Sequence, residues 1–214
     1  MTKLKILNLY AGIGGNRKLW GNDIEVTAVE INPKIAECYQ KLFPKDKVIV
    51  GDAHEYLRQH FREFDFIWAS PPCQSHSSLN FYNWNIPERL RYPDMVLYQE
   101  ILLLKHFYKG KWVIENVKPY YEPLIQPSFK TDRHYFWSSN FMLVPESPRT
   151  FTSIKDNNKE MEKILGFDLT DFNINAKLKR TVLRNCVKPE IGGYIFNEIR
   201  KAKNGTPTED TRVQ

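Results

Sequence analysis

Residues 70–74 read Ser70-Pro71-Pro72-Cys73-Gln74 and follow a short apolar run, Asp65-Phe66-Ile67-Trp68-Ala69. Such a run, bounded by turn residues, predicts a buried parallel strand. The two prolines forbid further regular structure and stiffen the chain, so Cys73 is expected in a rigid loop at a strand end. Open α/β sheets hold their ligands there, and a thiol in that place is a candidate nucleophile. A lone cysteine in a turn is more often a small buried residue, but two other stretches weigh against that here. Tyr10-Ala11-Gly12-Ile13-Gly14-Gly15 makes a glycine-rich loop after the first strand, and Glu115 closes a later one. Cys73 and His76 are metal-ligand types, yet no second pair at ligand spacing accompanies them, so zinc is disfavoured.

Gly12, Gly14 and Gly15 let a ligand approach the backbone closely, which a β-carbon would prevent. Glu30 ends the second expected strand, where such folds bind a pair of ribose hydroxyls. Asp52 ends the third, where a carboxylate can accept from an adenine amino group. A dinucleotide fold would carry a third glycine near position 17, but Arg17 stands there. A nucleoside without a pyrophosphate therefore fits better than NAD. The bland alternative is a tight turn with two solvated acids.

These residues need a scaffold, and the pattern supplies one. Strands are expected at Lys5–Leu9, Glu25–Val29, Val48–Val50, Asp65–Ala69 and Lys111–Ile114. Helices are expected from about Asn16, from Asn32-Pro33 to Leu42 with Asn32 as cap, from Ala53 to about Arg58, and from Pro93 to Tyr108. Alternating strands and helices imply a doubly wound, mostly parallel α/β sheet. After Glu115 the pattern changes: His134–Trp137 and Phe141–Val144 read as a hairpin joined by Ser138-Ser139-Asn140, with helices near 155–165 and 189–201. The expectation is one domain over residues 1–202, with a polar, disordered tail from 203 to 214.

The chain has 214 residues, enough to bury a core. No apolar run approaches the ~20 residues of a membrane span, and Lys3 and Lys5 lead into a strand rather than a signal peptide. Cys38, Cys73 and Cys186 are odd in number and widely spaced, which suggests free thiols in a reducing compartment. The expected location is cytoplasmic, in a prokaryotic or phage-type setting. The net charge of +6 favours a polyanionic partner.

With Tyr10–Gly15, Pro72-Cys73-Gln74 and Glu115-Asn116-Val117 in this order, the chain resembles the cytosine-C5 DNA methyltransferases. Tyr10, Ala11, Gly12, Gly14 and Gly15 match that family's first S-adenosylmethionine motif, Glu30 and Ile31 the second, and Asp52 and Ala53 the third. Pro72 and Cys73 match the nucleophile motif, Glu115 the motif that grips the target base, and Arg133 the first arginine of a Gln-x-Arg-x-Arg motif. Asn185 to Pro189 resembles the last motif, which would bring Asn185 and Val187 to the cofactor. The resemblance runs from about Lys5 to Ile199. It departs at Thr131 and Tyr135, which stand where the family has glutamine and the second arginine, and at Arg184 in place of glycine. Arg149–Thr152 resembles the penultimate motif, so only residues 141–148 remain where the family places its target-recognition domain.

The resemblance implies an S-adenosylmethionine-dependent, Rossmann-like methyltransferase. Cys73 would attack cytosine C6, Glu115 would hold a proton against N3 from a buried position, and Arg133 would hold the base's O2. Because C6 is hidden in a duplex, the target base would be flipped out. The polar, aromatic loop after Cys73 would then close on double-stranded DNA through Ser75, His76, Arg89 and Arg91. A separate target-recognition subunit is the expected partner for such a shortened chain. The competing readings are an RNA cytosine-C5 methyltransferase, and a binding remnant or half of a split enzyme. An NAD-dependent oxidoreductase is disfavoured by Arg17 and the Pro-Pro-Cys loop.

Overall fold

In the computed structural model, residues 3–78, 80, 85, 86, 88, 91–131, 133–140 and 157–201 are described. Five apolar runs form the parallel part of one sheet: β1 (Leu4–Leu9), β2 (Ile24–Glu30), β3 (Lys47–Val50), β4 (Phe66–Ala69) and β5 (Lys111–Val117). Two further strands, β6 (Phe129–Lys130) and β7 (His134–Ser138), complete the order β3-β2-β1-β4-β5-β7-β6, with β7 antiparallel to β5. The helices are α1 (Pro33–Leu42), α2 (Ala53–His60), α3 (Val96–Phe107), α4 (Asn158–Leu165), α5 (Ala176–Arg184) and α6 (Pro189–Lys201). No helix among the described residues is long and apolar enough to cross a membrane.

The register aligns the strand ends. Leu9 lies opposite both Val29 and Ala69, Glu30 opposite Val50, and Ala69 opposite Ile114. The strand order reverses between β1 and β4, which opens a crevice beyond their carboxyl ends. The loops carrying Tyr10–Gly15 and Cys73 leave the sheet at that crevice. Side chains on one face, including Leu7, Leu9, Ile67 and Ile114, pack under α2 and α3. On the other face, Ile6, Trp68, Val113 and Phe136 pack with Trp20 and α6. Trp20 stacks on Phe196 at 5.1 Å between ring centres, and each fully buried side chain of this size contributes about 1.5–3 kcal/mol.

The start of α1 follows its local signals: Asn32 accepts from the Lys34 and Ile35 amides, and Pro33 takes the first helical position. The helix expected from Asn16 does not form. Residues 15–20 turn through bonds from the Lys18 amide to the Gly15 carbonyl and from the Trp20 amide to the Arg17 carbonyl. The cause is long-range. Arg17 is drawn into the core, where its Nε and Nη2 donate to both Asp46 oxygens at 2.9 and 3.0 Å and its Nη1 to the Gly21 carbonyl. Tyr39 also donates to Asp46. The missing third glycine is thus a buried clamp between the glycine loop and the turn before β3. Asp46→Ala leaves a guanidinium, 4% exposed, without its carboxylate; urea unfolding should show a loss of about 3–5 kcal/mol. A loss under about 1 kcal/mol, the scale of an exposed pair, would contradict the clamp.

Other elements differ from expectation for visible reasons. Helix α3 begins at Val96 rather than Pro93, with Asp94 Oδ1 accepting from the Val96 amide. Strand β5 runs on through Glu115 and Asn116 because β7 pairs with it there. Among the described residues β7 pairs with β5 and β6, and the expected partner Phe141–Val144 lies outside them, as do Arg149–Thr152 and the tail from 203. Helix α5 forms where no helix is expected, and its Lys179 turns inward to Glu162 at 3.0 Å.

Candidate active site

The crevice is lined first by the glycine loop. Gly12 has a φ of +54°, and the space a Cβ would occupy there is open. Its amide donates to Glu30 Oε2 at 3.0 Å, while Glu30 Oε1 accepts from the Asn32 amide at 2.9 Å. Glu30 is buried, yet each oxygen keeps a lone pair for a ligand hydroxyl. Asp52 caps α2, accepting from the Glu55 amide, and Ala53 behind it is buried. Ile31 and Val50 stand 68% and 56% exposed at the same edge, an apolar rim suited to a flat base. Ala11 is buried at the turn of the loop.

At Gly15 the loop meets the segment after α5. A Cβ on Gly15 would overlap the Val187 carbonyl oxygen and Cys186 Sγ, so only glycine allows the approach. Cys186 and Val187 therefore sit beside the glycine loop, and Asn185 precedes them as the exposed C-cap of α5. Gly15→Ala should push this segment away and weaken S-adenosylhomocysteine binding by about tenfold or more in calorimetry. Unchanged affinity would show that the close approach has no bearing on the crevice.

Cys73 lies four residues past β4 and is half-buried. Asn116 Nδ2 donates to the Pro71 carbonyl at 3.0 Å, tying the end of β5 to the Pro-Pro-Cys loop. That bond brings the Glu115 and Cys73 segments together. Burial first, and then the Glu115 charge, push the Cys73 thiol up to about 11, with the Arg133 charge acting against them. Glu115 itself is 7% exposed. Arg133 is exposed at the head of β7, its carbonyl accepting from the Lys118 amide. The segments carrying Cys73, Glu115 and Arg133 thus meet at one edge, where the carboxylate and the guanidinium both act on the charge of the thiol.

His134 belongs to this group but was not among the expected residues. Its Nε2 stands 3.6 Å from Glu115 Oε1, because the β5–β7 register sets it opposite Val117. The signal for it was weak, a histidine beside Arg133 in a short apolar strand. Tyr135, at the position of the second arginine, packs against the core under α3, with Lys130 Nζ 4.8 Å from its ring centre.

The loop after Cys73 divides. Arg91 is exposed and Pro72 lies open beside the thiol. Ser75 is half-buried, its hydroxyl accepting from the Asp94 amide at 3.1 Å. Asn80 Nδ2 donates to the Ser75 and Arg91 carbonyls and closes the loop's base. His76 does not fit the expected nucleic-acid contact: it is 1% exposed, its Nδ1 is 2.5 Å from the Tyr121 hydroxyl, and burial lowers its basicity. The ring supports the loop from beneath. Arg89, Phe81, Tyr82 and Trp84 lie outside the described residues.

Residues 4–121 match the model of the C-5 cytosine-specific DNA methylase family. The tRNA (cytosine(38)-C(5))-methyltransferase of Spodoptera frugiperda is 38% identical over 76 residues, 33% of this chain and 23% of the relative. The match thus spans about a quarter of that relative's length. The solved structure of a Spodoptera frugiperda DNMT2 mutant aligns with a TM-score of 0.63 at 16% identity, over 93% of this chain and 100% of that one. The Entamoeba histolytica methyltransferase EhMeth gives 0.58 at 13% identity, over 93% and 98%. At these identities the structural likeness speaks for the fold. The family match covers more than half of the residues, and with it the chain belongs to the C-5 cytosine-specific DNA methylases.

Proposed function

We propose that this chain methylates C5 of cytosine in DNA through a covalent bond between Cys73 and C6 of a flipped-out base. The observation that carries the reading is the convergence of Cys73, Glu115 and Arg133 at the carboxyl edge of the sheet, beside the Gly12–Glu30 crevice. The cofactor of the family is S-adenosylmethionine, and the crevice fits it. Glu30 would hold its ribose hydroxyls, Asp52 its adenine amino group, and the open space at Gly12 its approach to the backbone. Bound there, it supplies a methyl group on a sulfonium. Tyr10, Ala11, Gly14, Gly15, Ile31, Ala53, Pro72, Asn185 and Val187 complete the proposed pocket.

Cytosine C5 is a poor nucleophile until a thiolate adds to C6. The Cys73 thiol gives its proton to Glu115 and its sulfur forms that bond with the freed electron pair, while Glu115 passes the proton on to N3, so the ring carries no net negative charge. C5 then takes the methyl group; water takes the C5 proton, the electrons return to the ring and expel the thiolate, and the N3 proton goes back through Glu115 to the sulfur. The neighbouring charge gives this sequence an order. Negative Glu115 holds Cys73 in the thiol form, and a proton shared between Glu115 and the base removes that opposition. The nucleophile is therefore strongest once cytosine is in place. Arg133, with its opposing effect on the thiol, supports the thiolate and holds the base's O2. Ser75, Arg89 and Arg91 are proposed to face the nucleic-acid backbone, the domain is proposed to extend over residues 1–202, and a separate recognition subunit would substitute for the domain absent between 141 and 149.

A second reading is an RNA substrate, favoured by the named activity of the Spodoptera frugiperda relative. Transfer of a tritiated methyl group to matched DNA duplexes and RNAs, followed by nucleoside analysis, separates the two. Label in 5-methyldeoxycytidine supports DNA, label in 5-methylcytidine supports RNA, and label in neither overturns the activity of the chain alone.

A further inference from the structure

Glu100 sits in the middle of α3 at a position surrounded by core residues Leu97, Ile101 and Leu104. It is 0% exposed. Its Oε1 accepts from the Tyr10 hydroxyl at 2.5 Å and lies 3.1 Å from His54 Nδ1, while Oε2 has no partner among the described residues. A carboxyl placed so deep is costly unless it is tied to something. What it ties are two walls of the cofactor crevice. Tyr10 opens the glycine loop, and His54 follows two residues after Asp52 in the first turn of α2.

The backbone at Tyr10 shows why a tie is needed. Tyr10 has a φ of +55°, the only non-glycine residue with positive φ among those described. A tyrosine in this left-handed region stores about 1–3 kcal/mol and persists only where its surroundings hold it. The short bond to Glu100 is such a hold. It fixes the turn that aims the Gly12 amide at Glu30 and leaves the space beside Gly12 open. Through His54 the same carboxyl fixes the head of α2, where Asp52 projects. The pair is also electrostatically matched: burial raises the Glu100 carboxyl, His54 and Tyr10 pull it back, and the bond to Glu100 raises His54.

We propose that Glu100 is a positioning residue for the cofactor, holding Tyr10 in its left-handed turn and His54 at the head of α2 so that the crevice is shaped before S-adenosylmethionine arrives. The Asn116–Pro71 bond that holds Cys73 beside Glu115 does not pass through it, so it sets cofactor affinity and leaves nucleic-acid affinity alone. The inference rests on the cofactor reading of the crevice.

The test is calorimetric titration with S-adenosylhomocysteine, together with steady-state kinetics, on wild type, Glu100→Gln, Tyr10→Phe and the double variant. Wild type should bind. Glu100→Gln and Tyr10→Phe should each weaken binding by about tenfold, and the double variant by little more than either single one, since both cut one tie. In Glu100→Gln, KM for cofactor should rise while KM for nucleic acid stays constant and kcat at saturating cofactor changes little. A general folding defect would instead lower kcat through the active fraction and leave both KM values alone, and that result would overturn the proposal. Equal affinity of wild type and Glu100→Gln would overturn it too. Failure of wild type to bind would refute the cofactor reading itself and the inference with it.

Discussion

Replacing Cys73 by alanine should abolish methyl transfer, with single-turnover rates falling by more than about 10³-fold while S-adenosylhomocysteine still binds. The expectation follows from where the thiol stands. It lies past the end of β4, in a loop fixed by two prolines and by the Asn116–Pro71 bond, with Glu115 and Arg133 close enough to act on its charge. None of the crevice contacts at Gly12, Glu30 or Asp52 involves it. A variant that keeps most of its activity would place the nucleophile elsewhere.

Glu115→Gln should have two effects of opposite sign. Methyl transfer should fall by about 10²–10⁴-fold, the scale of a lost general acid. Alkylation of Cys73 by iodoacetamide should become faster, because the variant lacks a negative charge that raises the thiol. The pH dependence follows the same sign. A thiol held near 11 is protonated at neutral pH, so wild-type alkylation at Cys73 should climb about tenfold per unit between roughly pH 7 and 10. Cys186 is raised to about 12, and Cys38 is buried and raised as well, so peptide mapping should find them slower. Slower transfer with unchanged alkylation would mean that Glu115 does not face the thiol.

The sheet was legible because buried parallel strands are written as short apolar runs, and because Asn32-Pro33 is a local signal whose partners lie within three residues. Glu30 was legible because it closes β2, and Asp52 because it follows β3 as the cap of α2. What escaped depends on distant partners. Arg17 pairs with a residue 29 positions away, and Glu100 meets Tyr10 across 90. Neither spacing leaves a trace in a local pattern, so the turn at 15–20 reads as a helix and Glu100 as one more polar residue. Helix α5 was hidden by its charges, since Lys177, Lys179, Arg180 and Arg184 mask the apolar face that buries Val182 and Leu183. His76 misled in the opposite direction: its place in a polar loop suggests exposure, and only the fold shows Tyr121 behind it.

The central claim is the bond between Cys73 sulfur and cytosine C6. Oligonucleotides carrying 5-fluorocytosine test it most directly, because fluorine at C5 cannot leave as a proton does and the sulfur stays attached after methyl transfer. With S-adenosylmethionine present, mass spectrometry should find the nucleotide on the peptide containing Cys73, and not in Cys73→Ala. Methylation of ordinary cytosine by wild type with no adduct on the fluorinated base, or an adduct on another residue, would contradict the account.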